Sequence, residues 1–217
     1  MPSRKHTDPI DTAPLSDSLR ALARRGVLRP LRKGAQVIIE GDVGGSLFIV
    51  LSGALRAYSV GADGRELTYG IYGAGEYLGE MSLDGGPRSA NVEAVQSTLV
   101  AMVTRPSLEK HLQDEPAFAF DLLAKVIRRA RLASLGLKQI ALNNVYGRLK
   151  DLLEQLAEAQ PDGTRLIAPA PTHLEMSQRL GCSREMVSKV LKELEKGGYL
   201  AMERRRLVLL KKLAAKW

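Results

Sequence analysis

Cysteine is nearly absent from this chain: among 217 residues there is one, Cys182. A single thiol cannot close a disulfide within the chain, and it cannot hold an iron–sulfur cluster. Histidine is scarce as well. His6, His111 and His173 share no metal-ligand spacing, so no metal centre is expected. No apolar run approaches the length of a membrane span, and residues 1–14 are polar and proline-bearing, without the hydrophobic stretch of a signal peptide. No Ser/His/Asp, Cys/His or metal constellation offers catalytic chemistry. These absences predict a cytoplasmic protein that is not an enzyme and does not attach to membranes.

Acidic residues are the minority, 24 against 32 Lys and Arg, for a net charge of +8. The surplus is uneven. Residues 169–217 hold 11 Lys and Arg against 5 acids, an excess of 6 in less than a quarter of the chain. A basic C-terminal end suits a polyanionic partner.

That same end carries the most informative stretch. Ser183 is a good N-cap, because its hydroxyl can accept an orphan backbone N–H. Arg184, Glu185, Ser188 and Lys189 follow within the first turns, while Val187, Val190, Leu191 and Leu194 form an opposite apolar stripe. Gly197-Gly198 supplies the stop. Upstream, Thr172-His173-Leu174-Glu175 fits a capping box and opens a second helix that ends at Gly181. Two short helices joined by a tight glycine turn predict a helix-turn-helix whose second helix offers its N-terminal side chains to a major groove. Strands around Glu203-Arg204-Arg205-Arg206 predict an adjoining wing.

The remainder reads as a β-rich domain and a long helix. Residues 15–27 suggest a short helix. Runs at 36–40, 46–51, 54–60, 66–72 and 97–103 suggest strands, with Asp63-Gly64 as a hairpin turn. Many short strands predict an antiparallel roll. Pro116 opens a helix to about Leu142. Leu123, Ile127, Ala130, Ser134, Leu137, Ala141 and Asn144 alternate spacings of four and three, an a/d seam for a second subunit. Leu122, Val126, Ala133 and Ile140 form a flanking stripe for the chain's own β-domain. Asn143-Asn144 is the expected hinge, and Val145–Ala159 resumes as helix. The expected domains are a tail (1–14), a β-roll (15–115), a dimerisation helix (116–143) and a winged helix-turn-helix (144–217).

A second motif is Gly79-Glu80-Met81-Ser82-Leu83-Asp84-Gly85-Gly86-Pro87-Arg88-Ser89-Ala90. Glycines let the backbone approach a ligand, and consecutive amides can nest an anion. Arg88 offers a guanidinium fork for phosphate oxygens, Ser89 a hydroxyl, and Glu80 an acceptor suited to a sugar hydroxyl. One anion clamp beside one hydroxyl acceptor describes a ribose phosphate.

This run resembles the phosphate-binding cassette of cyclic-nucleotide-binding domains. Gly34, Glu40-Gly41-Asp42, Leu47-Phe48-Ile49-Val50 and Gly53 follow the same domain's pattern. Gly181-Cys182-Ser183-Arg184-Glu185 resembles the start of the recognition helix in the cyclic-AMP receptor protein and fumarate-nitrate regulator superfamily, Crp/Fnr, of bacterial transcription factors. The order of the motifs resembles the family over nearly the whole chain.

The resemblance implies an α+β chain: a double-stranded β-helix (jelly roll) that binds a cyclic nucleotide, a long dimerisation helix and a C-terminal winged helix-turn-helix. It implies a homodimeric regulator controlled by a cyclic nucleotide, with cyclic AMP the expected effector, and RNA polymerase as a further partner. It assigns the ribose 2′-hydroxyl to Glu80 and the cyclic phosphate to Arg88 and Ser89, beside Gly79 and Met81, with Ala133 and Ser134 near the base. Two departures stand out. The cassette is about one residue shorter than the common form, and Ala133-Ser134 stands where cyclic-AMP responders carry Thr-Ser. The missing hydroxyl removes a bond that would select adenine. The iron–sulfur sensing of the fumarate-nitrate branch is excluded within a subunit by the single cysteine.

For DNA, Arg184 can pair with guanine O6 and N7, Glu185 can accept from a cytosine amino group, and Lys189 can donate to guanine without a planar fork. The family analogy suggests a palindrome of TGTGA-like half-sites. Arg204, Arg205 and Arg206 are expected on phosphates, with Thr172, His173, Ser183 and Ser188 as further contacts. Two alternatives stay open. One is a regulator of the same kind that needs no ligand or senses another small molecule. The other is a cyclic-nucleotide-binding module that controls an enzyme through its long helix.

Overall fold

The computed structural model describes residues 8–142 and 144–214, with side chains from 138 to 142 left aside. Two compact units emerge. One comprises the chain up to Ser59 with Thr68–Arg131, and the other comprises Val60–Leu67 with the chain from Leu132 onward.

The first unit begins with two short helices, α1 (Pro9–Thr12) and α2 (Asp17–Ala23), capped by Asp8 and Ser16. Residues 1–14 were expected as a tail. Instead, Ile10 and Ala13 are buried in a core, and Arg20 of α2 ties the segment down by donating to the Ala13 and Leu15 carbonyls, each at 3.1 Å. Residues 1–7 lie outside the described residues.

Strands follow as β1 (Val27–Leu31), β2 (Gln36–Ile38), β3 (Leu47–Ser52), β4 (Ala54–Val60), β5 (Glu66–Gly73), β6 (Tyr77–Leu78), β7 (Asn91–Ala94) and β8 (Thr98–Val103). They form two four-stranded sheets, ordered β1-β8-β3-β6 and β2-β7-β4-β5. Neighbouring strands pair antiparallel, as β3 does with β8 and β4 with β7. This is the expected β-roll. The strand β1 was not expected. Its Pro30, which cannot donate to a ladder, is tolerated because β1 is an edge.

The apolar run Leu47–Leu51 shows how the sheets are filled. Side chains alternate across a strand, so Phe48 and Val50 enter a core with Leu55, Ala57, Leu78, Val92 and Val100 from both sheets. Leu47, Ile49 and Leu51 meet a second core with Leu19 and Leu22 of α2, Leu108 and Phe118. A strand covered on both faces reads as a continuous hydrophobic run, as this one does.

After β8 come α3 (Arg105–Asp114), capped by Thr104, and α4 (Phe118–Leu142). Of the flanking stripe of α4, Leu122 packs on the second core. The seam residues Leu123, Ile127 and Leu137 are exposed. Ala133 of the flanking stripe is exposed too, Ala141 and Ile140 are among the side chains left aside, and Asn143 lies outside the described residues. Asn144, the other hinge residue, caps α5 (Val145–Leu156) by accepting the Gly147 amide at 2.9 Å.

The second unit continues with β9 (Glu158–Ala159), β10 (Arg165–Ile167), α6 (His173–Leu180), α7 (Arg184–Lys196), β11 (Leu200–Glu203) and β12 (Arg206–Leu209). Its core joins Leu149 and Leu153 of α5, Met176 and Leu180 of α6, Val187, Leu191 and Leu194 of α7, and Leu200, Leu207 and Leu209 of the sheet.

Candidate effector pocket and nucleic-acid interface

The cassette starts where β6 ends. Gly79 has φ +99°, and a Cβ there would lie 2.5 Å from the Ser46 carbonyl and 3.0 Å from Nη1 of Arg88. Only glycine fits both the backbone conformation and the space. The chain then makes one 3₁₀ turn, Glu80–Ser82, that buries Glu80 and Ser82 and leaves Met81 exposed.

Arg88 is buried and well anchored. Its Nη1 donates to the Gly79 carbonyl at 3.1 Å and to Ser82 Oγ at 2.8 Å, and its Nη2 donates to the Ser46 carbonyl at 3.0 Å. Ser82 Oγ in turn donates to the Gly44 carbonyl at 2.8 Å. A guanidinium carries five N–H groups. The Nε–H and one Nη2–H of Arg88 are left for a ligand. Desolvation pushes the Arg88 pKa down while the Glu80 carboxylate opposes the shift.

Glu80 has no exposed side-chain surface. One oxygen, Oε1, is ion-paired to Nη1 of Arg129, which reaches in from α4. Arg129 also donates through Nη2 to the Tyr77 carbonyl at 2.7 Å and sits 4.7 Å from the Tyr72 ring centre. The other oxygen, Oε2, is buried without a hydrogen-bond partner among the described residues. One turn earlier on α4, Lys125 Nζ lies 3.9 Å from the Tyr77 ring centre.

Gly79, Glu80 and Arg88 are thus brought together, with Ser89 exposed next in sequence. Ala133 and Ser134 are exposed on α4 and belong to the other unit. A cavity of about 320 Å³ is lined by Val43–Ser46, Ser82, Gly85, Gly86, Arg105 and Pro106. It shares Ser46 and Ser82 with the Arg88 network, but none of the expected ligand residues lines it. Sequence reasoning missed Arg129 and Ser82. A signal existed for Arg129, which shares a helix face with Leu122, Lys125 and Val126 and so points at its own domain.

In the second unit the two helices are built as their sequences require. Thr172 Oγ1 accepts the Glu175 amide at 3.1 Å, and Glu175 Oε2 accepts the Thr172 amide at 2.6 Å, a complete capping box. The Thr172 amide and the nearby Arg205 and Arg179 charges hold the Glu175 carboxyl below the ordinary range. Gly181 turns the chain at φ +62°, and Ser183 Oγ accepts the Met186 amide at 3.2 Å to start α7. Both capping hydroxyls keep their own O–H for an external acceptor.

On α7 the core takes Val187, Val190, Leu191 and Leu194, leaving Arg184, Glu185 and Lys189 exposed together with Lys192, which the sequence reading passed over. Ser188 and His173 are half-buried and bonded to each other, Nδ1 to Oγ at 2.7 Å, which ties α6 to α7. In the wing, Glu203 pairs with Arg206 across a two-residue loop, and Arg204, Arg205 and Arg206 are exposed. Arg204 has φ +52°, the only positive φ outside glycine among the described residues. The Arg205 carbonyl accepts the Ala170 amide at 2.8 Å, which holds the tip against the segment before α6.

No group of His, Cys, Asp and Glu among the described residues could hold a metal ion, and no described helix is long and apolar enough to cross a membrane.

Comparison with known proteins identifies two regions of the chain. Residues 28–115 match the cyclic nucleotide-binding domain, and residues 147–215 match the Crp-like helix-turn-helix domain. The CRP-like cAMP-activated global transcriptional regulator of Mycobacterium tuberculosis is 30% identical over 175 residues, covering 79% of this chain and 78% of that protein. The cyclic AMP receptor protein of Thermus thermophilus is 32% identical over 171 residues, 78% of this chain and 77% of that one. Among solved structures, the c-di-GMP responsive regulator CLP of Xanthomonas campestris superposes with a TM-score of 0.77 at 24% identity, covering 89% of this chain and 98% of its own. With a glycine-turned cassette in a β-roll at one end and a capped reading helix at the other, the chain belongs to the Crp/Fnr family of DNA-binding transcriptional regulators.

Proposed function

We propose that this regulator is a homodimer controlled by cyclic AMP, and that it reads a palindrome of TGTGA-like half-sites. The observation that carries the effector reading is Glu80: a fully buried carboxylate with one unpartnered oxygen, beside an Arg88 that retains two N–H groups. Leaving a buried acceptor unmet costs about 1–3 kcal/mol. A ribose 2′-hydroxyl donating to Oε2, with the cyclic phosphate on Arg88 and Ser89, removes that cost. The Gly79 backbone and Met81 lie beside the phosphate, while Ser134, next to Ala133 on the expected dimer seam, reaches a base held by the partner subunit.

Arg129 gives the effector a route to α4. A ligand that engages Glu80 changes what the carboxylate offers Arg129, and so biases the helix that bears the exposed Leu123, Ile127 and Leu137 stripe. Such a stripe favours a second copy, through residues 116–143. The effector then shifts a population between two spacings of the reading heads. Arg184, Glu185 and Lys189 read bases, while Thr172, His173, Ser183, Ser188 and Arg204–Arg206 hold phosphates. RNA polymerase is the further partner, in the cytoplasm.

The relatives named as cAMP-activated support cyclic AMP. A second reading is a regulator that is ligand-independent or answers to another small molecule. It is favoured by Ala133 and by the existing Glu80–Arg129 pair. Fluorescence anisotropy of a labelled operator separates the two. Tighter binding on adding cyclic AMP supports the first reading, whereas equal affinity with and without it overturns that reading. Calorimetry with cyclic mono- and dinucleotides then names the ligand.

A further inference from the structure

One apolar residue of α7 does not enter the core. Val187, Val190, Leu191 and Leu194 are buried with α5, α6 and the sheet, whereas Met186 stays out of that core and is 43% exposed. Its backbone is held in the first turn, where the Met186 amide donates to Ser183 Oγ at 3.2 Å. Glu185, Lys189 and Lys192 form the middle of the exposed face. One edge of that face is taken by Ser188, bonded to His173 of α6 at 2.7 Å. Met186 forms the other edge, three residues before Lys189 and one turn before the buried Val190. Among the described residues, Leu174 is the other exposed large apolar residue of the helix pair, and it lies on α6 rather than on the reading helix.

We infer that Met186 is a specificity-determining residue whose thioether rests on the C5-methyl of one thymine in each half-site. The inference rests on the reading of α7, above, as the helix that enters the major groove. Thymine is the base that presents an apolar group there, its methyl, and an apolar side chain is what recognises it. The N-terminal residues of a recognition helix are the ones that reach base edges, and Met186 is the third residue of α7.

The thioether is unbranched and polarisable, so it adapts to a methyl without a fixed hydrogen-bond geometry. Its neighbours divide the work. Glu185 and Lys189 are matched to cytosine and guanine, and neither reads a methyl. Met186 extends the readout to a base pair that the hydrogen-bonding side chains of α7 leave unread. The water it sheds in the groove adds affinity only where the methyl is present.

The test uses the full chain, in the presence of cyclic AMP, and the duplex it selects from a randomised pool. Each thymine of that duplex is replaced in turn by deoxyuridine, which lacks only the methyl, and binding is read by fluorescence anisotropy. In the wild type, one replacement in a half-site is expected to weaken binding about four-fold, the effect of one buried methyl, and the others to change it less. Met186→Ala is expected to bind the thymine and deoxyuridine duplexes alike at that position. Met186→Leu, which restores an apolar side chain, is expected to keep most of the difference. A wild type indifferent to every methyl overturns the inference before any variant is made. A methyl effect of the same size in Met186→Ala also overturns it, and assigns the effect to DNA shape or to another residue. In both cases the selected duplex leaves α7 standing as the reading helix. A pool that yields no preferred duplex defeats the reading of α7 itself, and the inference with it.

Discussion

Glu80 and Arg129 form the most consequential pair in the first unit, because one partner has no exposed surface and the other is only 17% exposed. Removing one member of such a pair strands a buried charge. Arg129→Met is expected to destabilise the first unit by about 3–5 kcal/mol, read from urea unfolding. A loss below about 1 kcal/mol would mean that the carboxylate is solvated after all.

His111 poses a different problem at the same scale. It is fully buried, packs edge-on against Phe118 at 5.0 Å, and both ring nitrogens lack hydrogen-bond partners among the described residues. Desolvation pushes its pKa below 6.5, with Glu115 pulling the other way. The unfolded chain therefore takes up a proton that the folded chain refuses. Stability present above the unfolded pKa of about 6.5 is lost as pH falls below it, towards the depressed folded value. Unfolding at stepped pH between about 7.5 and 5 should show this decline, and His111→Leu should flatten it. Parallel curves for the two proteins would exclude His111 as the cause.

Arg204 adopts a left-handed conformation that favours glycine. A left-handed backbone costs a non-glycine residue about 1–2 kcal/mol, and glycine costs about 0.5–1 kcal/mol in lost chain entropy. Arg204→Gly should leave stability within about 1 kcal/mol and yet reduce the salt dependence of DNA binding by about one unit of slope. An unchanged slope would remove Arg204 from the interface.

Among the elements, α7 is the one whose design follows most directly from its residues. Ser183 caps it, four apolar side chains bury one face, and the exposed face carries Arg184, Glu185, Lys189 and Lys192. Ser183→Ala should cost about 0.5–2 kcal/mol of stability in the second unit. Arg184→Ala should leave the fold intact, weaken specific binding by about 1–3 kcal/mol and relax preference at one base pair. Equal weakening on operator and on random DNA would reassign Arg184 to a phosphate.

The 25-residue α4 carries two faces. Leu122 is held by its own core while Ile127 and Leu137 are exposed. Ile127→Glu with Leu137→Glu should convert a dimer to a monomer in sedimentation equilibrium. Its far-ultraviolet circular dichroism should be unchanged. A dimer that survives both changes would place the interface elsewhere.

For the whole molecule, the two units differ in how far local sequence reaches. The helix pair of the second unit was legible almost residue by residue, whereas the helix expected over 145–159 ends at Leu156 and the short strands β9 and β10 were not expected. The caps of the pair are short-range: Thr172 with Glu175, and Ser183 with Met186, are three positions apart. The β-roll was legible in outline, through period-two alternation and glycine turns. It was less so in detail, since β1, β6, β7 and α3 escaped. The strand β6 is two residues long, and β1 contains a proline, so neither shows a run to detect. The assignment of residues 9–14 to a tail failed for a related reason. Arg20 holds that segment through backbone carbonyls, which leave no pattern in side-chain type.

The amino-acid order alone determined the capped reading helix and the glycine turn that opens the cassette, because caps and turns are set within a few residues. Only the tertiary structure decided what faces Glu80. Arg129 lies 49 positions away, and nothing local to either residue says that they meet. The same holds for Ser46, which takes a hydrogen bond from Arg88 across 42 positions. Side-chain chemistry can be listed from a sequence, but which groups compete for one buried charge depends on how distant strands and helices pack.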